Sequence, residues 1–462
     1  MHTRPLQRTL AVVAISLGFA ITSAAAQDAD EDLIQLVVNL LGENDKDLRS
    51  LGLEQVRTEA KGDAATRRFA ALLPKLPPDA QVGLLRALSD RGDKAARPAV
   101  LDALKNSREE SVRVAAITAL GGLGEQTDLR LLVELLGKGA KAEQDAARTS
   151  LVRIRGETIP PAIAAEMKRA TPPLRVALIE ILATRRALDT VPDLLSVALD
   201  ADPKVRTAAM AALGQIAGPE HIPGMVQAVL KAQPGAEREA AEKAIMFVCG
   251  RNADAQKRAD PLLAAMDGLN EMDRTALLPT LGRIGGPQAL RAVEAAIADA
   301  DLTRHEAGLR ALCNWPNASV APRLIELAQS DKHPDHRTTA LATLIRVAPL
   351  PDGRPDREKL ELVRKVMEMC QTDEQRKLML KRSSAIRIVE TLRFVLPYLD
   401  QPTFAEQACE SVVELAHHRG LREPNKAEFH RALDKVIETS KDAVVVDRAN
   451  RYKKDQTWVR PK

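Results

Sequence analysis

The chain has 462 residues, 45 % of them hydrophobic, but aromatics account for only 2 %. Ala, Leu, Val and Ile must do the packing, which favours many thin helix contacts over one thick core and leaves few rings to stack on sugars. A formal net charge of +4, with charged residues at 28 % and no long blocks of either sign, does not describe a nucleic-acid binder.

At the N-terminus, Arg4 and Arg8 precede the uncharged stretch LAVVAISLGFAITSAAA, Leu10 to Ala26, and QDADED follows it. A basic start, an apolar middle and small residues at Ala24 and Ala26 predict a signal peptide over 1–26, cleaved between Ala26 and Gln27. The run falls short of the ~20 residues of a spanning helix, so cleavage is favoured over a retained anchor, and no stable membrane insertion is expected afterwards. The first cysteine is Cys249, which excludes a lipid-anchored start next to the apolar run. The expected location is periplasmic or secreted.

A repeat then takes over. DPKVRTAAMAALGQIAG, residues 202–218, opens with a capping Asp202 and with Pro203 at the first helical position. Val205, Ala208, Ala209, Ala212, Leu213 and Ile216 fall on one face, and the alanines let a neighbouring backbone come close. The register of Leu213 recurs at Val56, Leu88, Leu120, Leu151, Leu182, Ile245, Leu281, Leu312 and Leu344, at steps of 31 to 36 residues. Seven residues before this anchor stands Arg49, Arg113, Arg175, Arg206, Arg238, Arg274 or Arg337, or, in the other copies, Gln81, Gln144 or His305. Gly156, Gly218, Gly250 and Gly286 close anchor helices, where left-handed caps are expected. A second amphipathic segment such as HIPGMVQAVL or SVAPRLIELA follows, giving two helices per period. That predicts an all-α fold, an alpha-alpha superhelix of about ten helix pairs over 27–350.

VRVAAITALGGLG, VRTAAMAALGQIAG and DRTALLPTLGRIGG carry a resemblance to the HEAT-repeat family, in its short phycobilisome-lyase-like variety, over roughly residues 30 to 350. The resemblance implies a solenoid whose second helix in each pair lines a concave binding surface. It also brings enzymes to consider. The hydroxylase members hold a di-iron centre on His-Glu pairs from several repeats, and this chain has one such pair, His305-Glu306. A bilin lyase would not normally be exported.

Beyond Leu344 the register slips at PLPDGRPDREK, 349–359. Residues 351–462 are expected to form irregular helical pairs that cap the stack. The tail RANRYKKDQTWVRPK is assigned to that cap, with a short binding segment as the alternative.

Chemistry is scarce. His333, His336, His417 and His418 have no Cys or His at zinc-ligand spacing and read as solvated loop residues. Cys249, Cys313, Cys370 and Cys409 form no C-x-x-C, although export would permit a Cys370–Cys409 bond. No phosphate-binding or nucleophile motif appears. Neither a catalytic residue, a metal nor a cofactor is expected.

The first-turn arginines face an unfavourable helix dipole. A carboxylate or carbonyl of the adjacent unit should compensate, making them a structural ladder between repeats. Positions two before and two after the anchor share an exposed stripe, basic at Arg86, Arg153, Lys243, Arg283, Arg310 and Arg346. The expectation is a non-catalytic exported scaffold that takes a protein or peptide partner on this concave stripe. The alternative is a metal- or cofactor-dependent enzyme of the repeat lyase or hydroxylase kind.

Overall fold

The computed structural model describes residues 23–458 apart from 44, 60 and 61, with side chains from Asp32 onward. The predicted signal segment lies outside these residues except for Ser23–Ala26, whose backbone opens the helix Ser23–Gly42. The described chain is helical, without a strand, and divides into two compact units, one up to Thr190 and one from Val191.

The opening stretch folds as its letters predict. Asp202 accepts from the amides of Lys204 and Val205, Pro203 starts the helix Pro203–Ile216, and Leu213 is fully buried. The other nine anchors are equally buried. Each such side chain contributes about 1.5–3 kcal/mol by leaving water. One buried residue per period therefore holds the register along the chain.

In the first unit the anchor helices Lys46–Thr58, Pro78–Arg91, Glu110–Leu123, Lys141–Arg153 and Pro172–Thr184 pack successively on one another. Asp63–Ala70, Arg97–Asn106, Leu129–Lys138 and Ile159–Arg169 alternate with them as an outer layer. The second unit repeats the plan with Pro203–Ile216, Ala236–Gly250, Glu271–Ile284, Leu302–Cys313 and Pro334–Val347. Here the outer helices are Val191–Val197, Ile222–Lys231, Asp260–Asp267, Pro287–Ile297 and Ala321–Ser330. Beyond Leu350 the alternation continues: Asp373–Ser383, Ala405–His417 and Ala443–Lys453 extend the anchor layer although the sequence register has gone.

Close approach within the anchor layer rests on the glycine that follows the anchor in three copies. A Cβ on Gly282 would lie 1.9 Å from the Ala311 carbonyl oxygen, and one on Gly214 would lie 3.1 Å from Ala244 Cα. Of the four glycines expected in left-handed caps, Gly156 and Gly286 take positive φ, 139° and 92°, and two do not. The helix Pro203–Ile216 ends on extended Ala217, Gly218 has φ −92°, and Gly250 is still helical. Short 3-10 turns such as Pro219–His221 follow directly and lead the chain into the next outer helix, so the reversal a left-handed residue provides is not needed.

Candidate functional site

The first-turn ladder points mainly into its own repeat. Arg206 donates to the carbonyls of Asp200 and Ala201 at 2.9 and 2.8 Å, Arg274 to Met266 and Asp267, and Arg238 to Leu230 and Ala232. Arg175 grips Met167, Lys168 and Ala170; Arg337 grips Asp331; Arg49 reaches Glu43; Arg113 reaches Ser107 and Arg108. Each thus satisfies carbonyls left open where the preceding outer helix ends, and its charge suits that negative helix terminus. Gln81, Gln144 and His305 do the same in their copies, at Leu76, Gly139 and Ile297. The role is a cap, which a neutral side chain can also fill. Three members add a bond to the next repeat: Arg49 to Asp79, Arg113 to Glu143 and Arg206 to Glu237. The last is bidentate at 2.7 and 3.0 Å. The hydrogen bond it donates to Glu237 holds the Arg206 guanidinium above its ordinary value.

Fastening between repeats is the task of arginines near the ends of anchor helices. Arg91 donates to the carbonyls of Val56 and Glu59, and Arg185 to those of Leu151 and Val152. Arg251 bonds Gly214 and Ala217, and Arg346 bonds Cys313 and Trp315 at 2.7 and 2.9 Å. Each reaches back one repeat and closes the carbonyl end of the helix before it. Burial pushes the Arg185 and Arg346 guanidinium groups below their ordinary value.

This corrects the stripe. Arg346 is committed to those two carbonyls, and Arg283 bonds the buried Glu242 carboxylate at 2.7 Å, so neither is free for a partner. Arg86, Arg153, Lys243 and Arg310 are exposed as expected. Arg86, Arg153 and Arg310 reach no carboxylate among the described residues, and Lys243 has only a loose 3.9 Å contact with Glu239. Two apolar side chains stand out beside these cations. Phe247, 58 % exposed, lies one turn from Lys243, and Met272, 76 % exposed, shares a groove of about 700 Å³ with Pro279 and Arg310. Phe247 also lines a groove of about 840 Å³ with Arg251, Arg283, Trp315 and Pro316.

The histidines are a second correction. His333 and His336 are not isolated loop residues: with His305 they surround Asp331, whose side chain is 3 % exposed. His305 Nε2 lies 3.2 Å from Asp331 Oδ2, and His336 Nδ1 lies 3.4 Å from Oδ1, which also accepts the His333 amide at 2.8 Å. The three rings stand 4.8 to 6.3 Å apart, centroid to centroid. Burial alone would raise the Asp331 carboxyl. The His333 amide and the charges of His305 and His336 outweigh it and hold the group below its usual range. A signal was available in the sequence: His305 and His336 are one period apart, as are Arg206 and Glu237. Glu306, by contrast, faces the Met272 groove and stands apart from this cluster.

The four thiols are free among the described residues, so Cys370 and Cys409 are not bonded. Burial pushes Cys249 up to about 12 and Cys409 to about 12. These thiols stay protonated and unreactive at neutral pH. His417 bonds the Tyr452 hydroxyl at 2.9 Å. No helix among the described residues is long and apolar enough to cross a membrane.

Stacked helix pairs with one buried anchor per period define an α-solenoid. Residues 66–152 and 159–246 match the family model of HEAT repeats, and the chain resembles HEAT-repeat proteins. Among solved structures it aligns with a karyopherin bound to the extreme C-terminus of a protein phosphatase, at 12 % identity over 89 % of this chain and 54 % of that one, TM-score 0.44. Yeast importin-β aligns at 14 % identity over 92 % and 63 % of the two chains, TM-score 0.39. Human deoxyhypusine hydroxylase in complex with glycerol aligns at 17 % identity over 63 % and 99 %, TM-score 0.25. The chain spans about half the length of the first of these, 54 %. No curated protein matches it.

Proposed function

We propose that the chain is a non-catalytic scaffold that binds a protein or peptide partner on the anchor-helix face of its second unit. The observation that carries this reading is the pairing of exposed apolar side chains with exposed cations: Phe247 with Lys243, and Met272 with Arg310. Large exposed apolar groups suit an amphipathic partner segment better than solvent, and the Met272 groove offers Arg304 and Arg310 together with Glu271, Asp299, Asp301 and Glu306 to its polar face. Lys243→Glu with Arg310→Glu should leave helicity and melting unchanged, since exposed substitutions stay within about 0.5 kcal/mol. Capture of a partner from the envelope fraction should fall at least tenfold and lose its salt sensitivity. Equal capture by wild type and the double variant would place the binding face elsewhere.

The scaffold works outside the cytoplasm in this reading, because the N-terminal segment has the build of a cleaved signal. The intact mass of the exported protein should begin at Gln27. A mass that still includes residues 1–26 would make the segment an anchor.

A further inference from the structure

The Asp331 cluster gathers two imidazole nitrogens around one buried carboxylate. Ile297 O can only accept, so at 2.6 Å the His305 ring must donate to it from Nδ1. A neutral His305 then turns the lone pair of Nε2 toward the Asp331 carboxylate, 3.2 Å away. His336 Nδ1 is buried without a hydrogen-bond partner among the described residues and faces the other carboxylate oxygen at 3.4 Å. Protonated imidazoles would donate to this carboxylate, neutral ones leave nitrogen lone pairs beside its oxygens, and a bound cation satisfies the same arrangement.

We infer that His305, Asp331 and His336 bind a divalent transition-metal ion of the zinc class, with His333 as the adjacent fourth donor. The donor set is two imidazoles and a carboxylate, which suits zinc. Ligands at about 2.0–2.1 Å from a tetrahedral ion stand roughly 3.3 Å from one another. His305 Nε2 stands 3.2 Å from Asp331 Oδ2 and His336 Nδ1 3.4 Å from Oδ1, each close to that edge though on different oxygens, and one ligand atom from each residue lies within 4.8 Å of the others. The outer shell is in place as well. The Ile297 carbonyl fixes the His305 tautomer, and Arg337 holds the Asp331 carbonyl, which keeps that residue at the end of the helix Ala321–Ser330. The exposed His333 ring stands 4.8 Å from that of His336 and leaves a path from solvent. His305 belongs to one repeat while Asp331 and His336 belong to the next, so the ion would clasp two consecutive repeats. The ligands do not include Lys243, Phe247, Met272 or Arg310, so the site does not rest on the partner-binding reading.

The test uses untagged full-length protein stripped with a chelator and then titrated with zinc against a chromophoric competitor. Wild type should take up one equivalent and melt at a higher temperature, and cobalt in its place should give the intense visible absorption of a four-coordinate ion. His305→Gln keeps the helix cap, since Gln81 and Gln144 make the same bond in their copies, but removes the ligand. His336→Ala removes a nitrogen that bonds nothing, so it reports even if the first variant folds poorly. Both should weaken zinc binding by 10- to 100-fold and abolish the cobalt band, while His221→Ala and His417→Ala change neither. Absence of zinc uptake by wild type, or uptake by His336→Ala equal to wild type, would overturn the assignment and leave a protonated histidine–aspartate cluster.

Discussion

The two ends of the anchor helices carry similar arginines that do different work. At the start, Arg206 closes the carbonyl end of its own outer helix, and any bond to the next repeat is an addition. At the far end, Arg346 reaches back to the carbonyl end of the preceding anchor helix, and that contact between repeats is its main one. One residue type in one layer thus organises a repeat internally at one end and joins repeats at the other. The acceptor each arginine reaches decides the role.

The largest effect should come from Arg206→Ala, measured against Arg346→Ala. Arg206 and Glu237 are 7 % and 12 % exposed, so the truncation strands a nearly buried carboxylate and uncaps two carbonyls. A loss of about 3 kcal/mol is expected. Arg346→Ala gives up two charge-assisted bonds to carbonyls and should cost about 2 kcal/mol. Hydrogen exchange separates the two roles. Arg206→Ala should open the region around Ile222 to Gly250, whereas Arg346→Ala should loosen Leu302–Cys313, a helix it does not belong to. If protection of Leu302–Cys313 is unchanged in Arg346→Ala, the helix-end arginines are not the fasteners between repeats.

The period was legible because a buried anchor leaves the same letter class every 31 to 36 residues, whatever the surface does. The first-turn ladder was legible as a structural feature, but not its direction. A guanidinium can reach its own repeat or the next, and spacing along one helix does not choose between them. The stripe failed at Arg283 and Arg346 for a related reason. Helical spacing places a side chain on a face, but a buried acceptor such as Glu242 can draw it inward. Local spacing does not reveal the histidine cluster, because a solenoid makes neighbours of residues one period apart. His305 and His336, and Arg206 and Glu237, obey the same offset. The helix pairs over 351–462 were legible as helices but not as a continuation of the anchor layer, which runs on there with no common register.

The smallest expected effect tests whether the added bonds of the ladder matter at all, at Arg113 and Glu143. Arg113 caps Ser107 and Arg108 and donates to Glu143 at 2.8 Å, and Glu143, 11 % exposed, also accepts the Ala140 amide. The hydrogen bond from Arg113 outweighs burial and holds the Glu143 carboxyl below its usual range. A folded value below the unfolded one, about 4.3, stabilises fully at neutral pH and ceases to do so as pH falls through the folded value. Gln144 next door caps Gly139 with a neutral amide that does not titrate. Protection of Lys141–Arg153 amides, corrected for intrinsic exchange, should therefore exceed that of Glu143→Gln at pH 7 by no more than about 1 kcal/mol. That difference should shrink below about pH 4 and vanish once wild-type Glu143 is protonated. A gap that stays constant from pH 7 to pH 3 would mean that Glu143 acts through its shape as the cap of Ala140, and that the charge shared with Arg113 adds nothing to the contact between repeats.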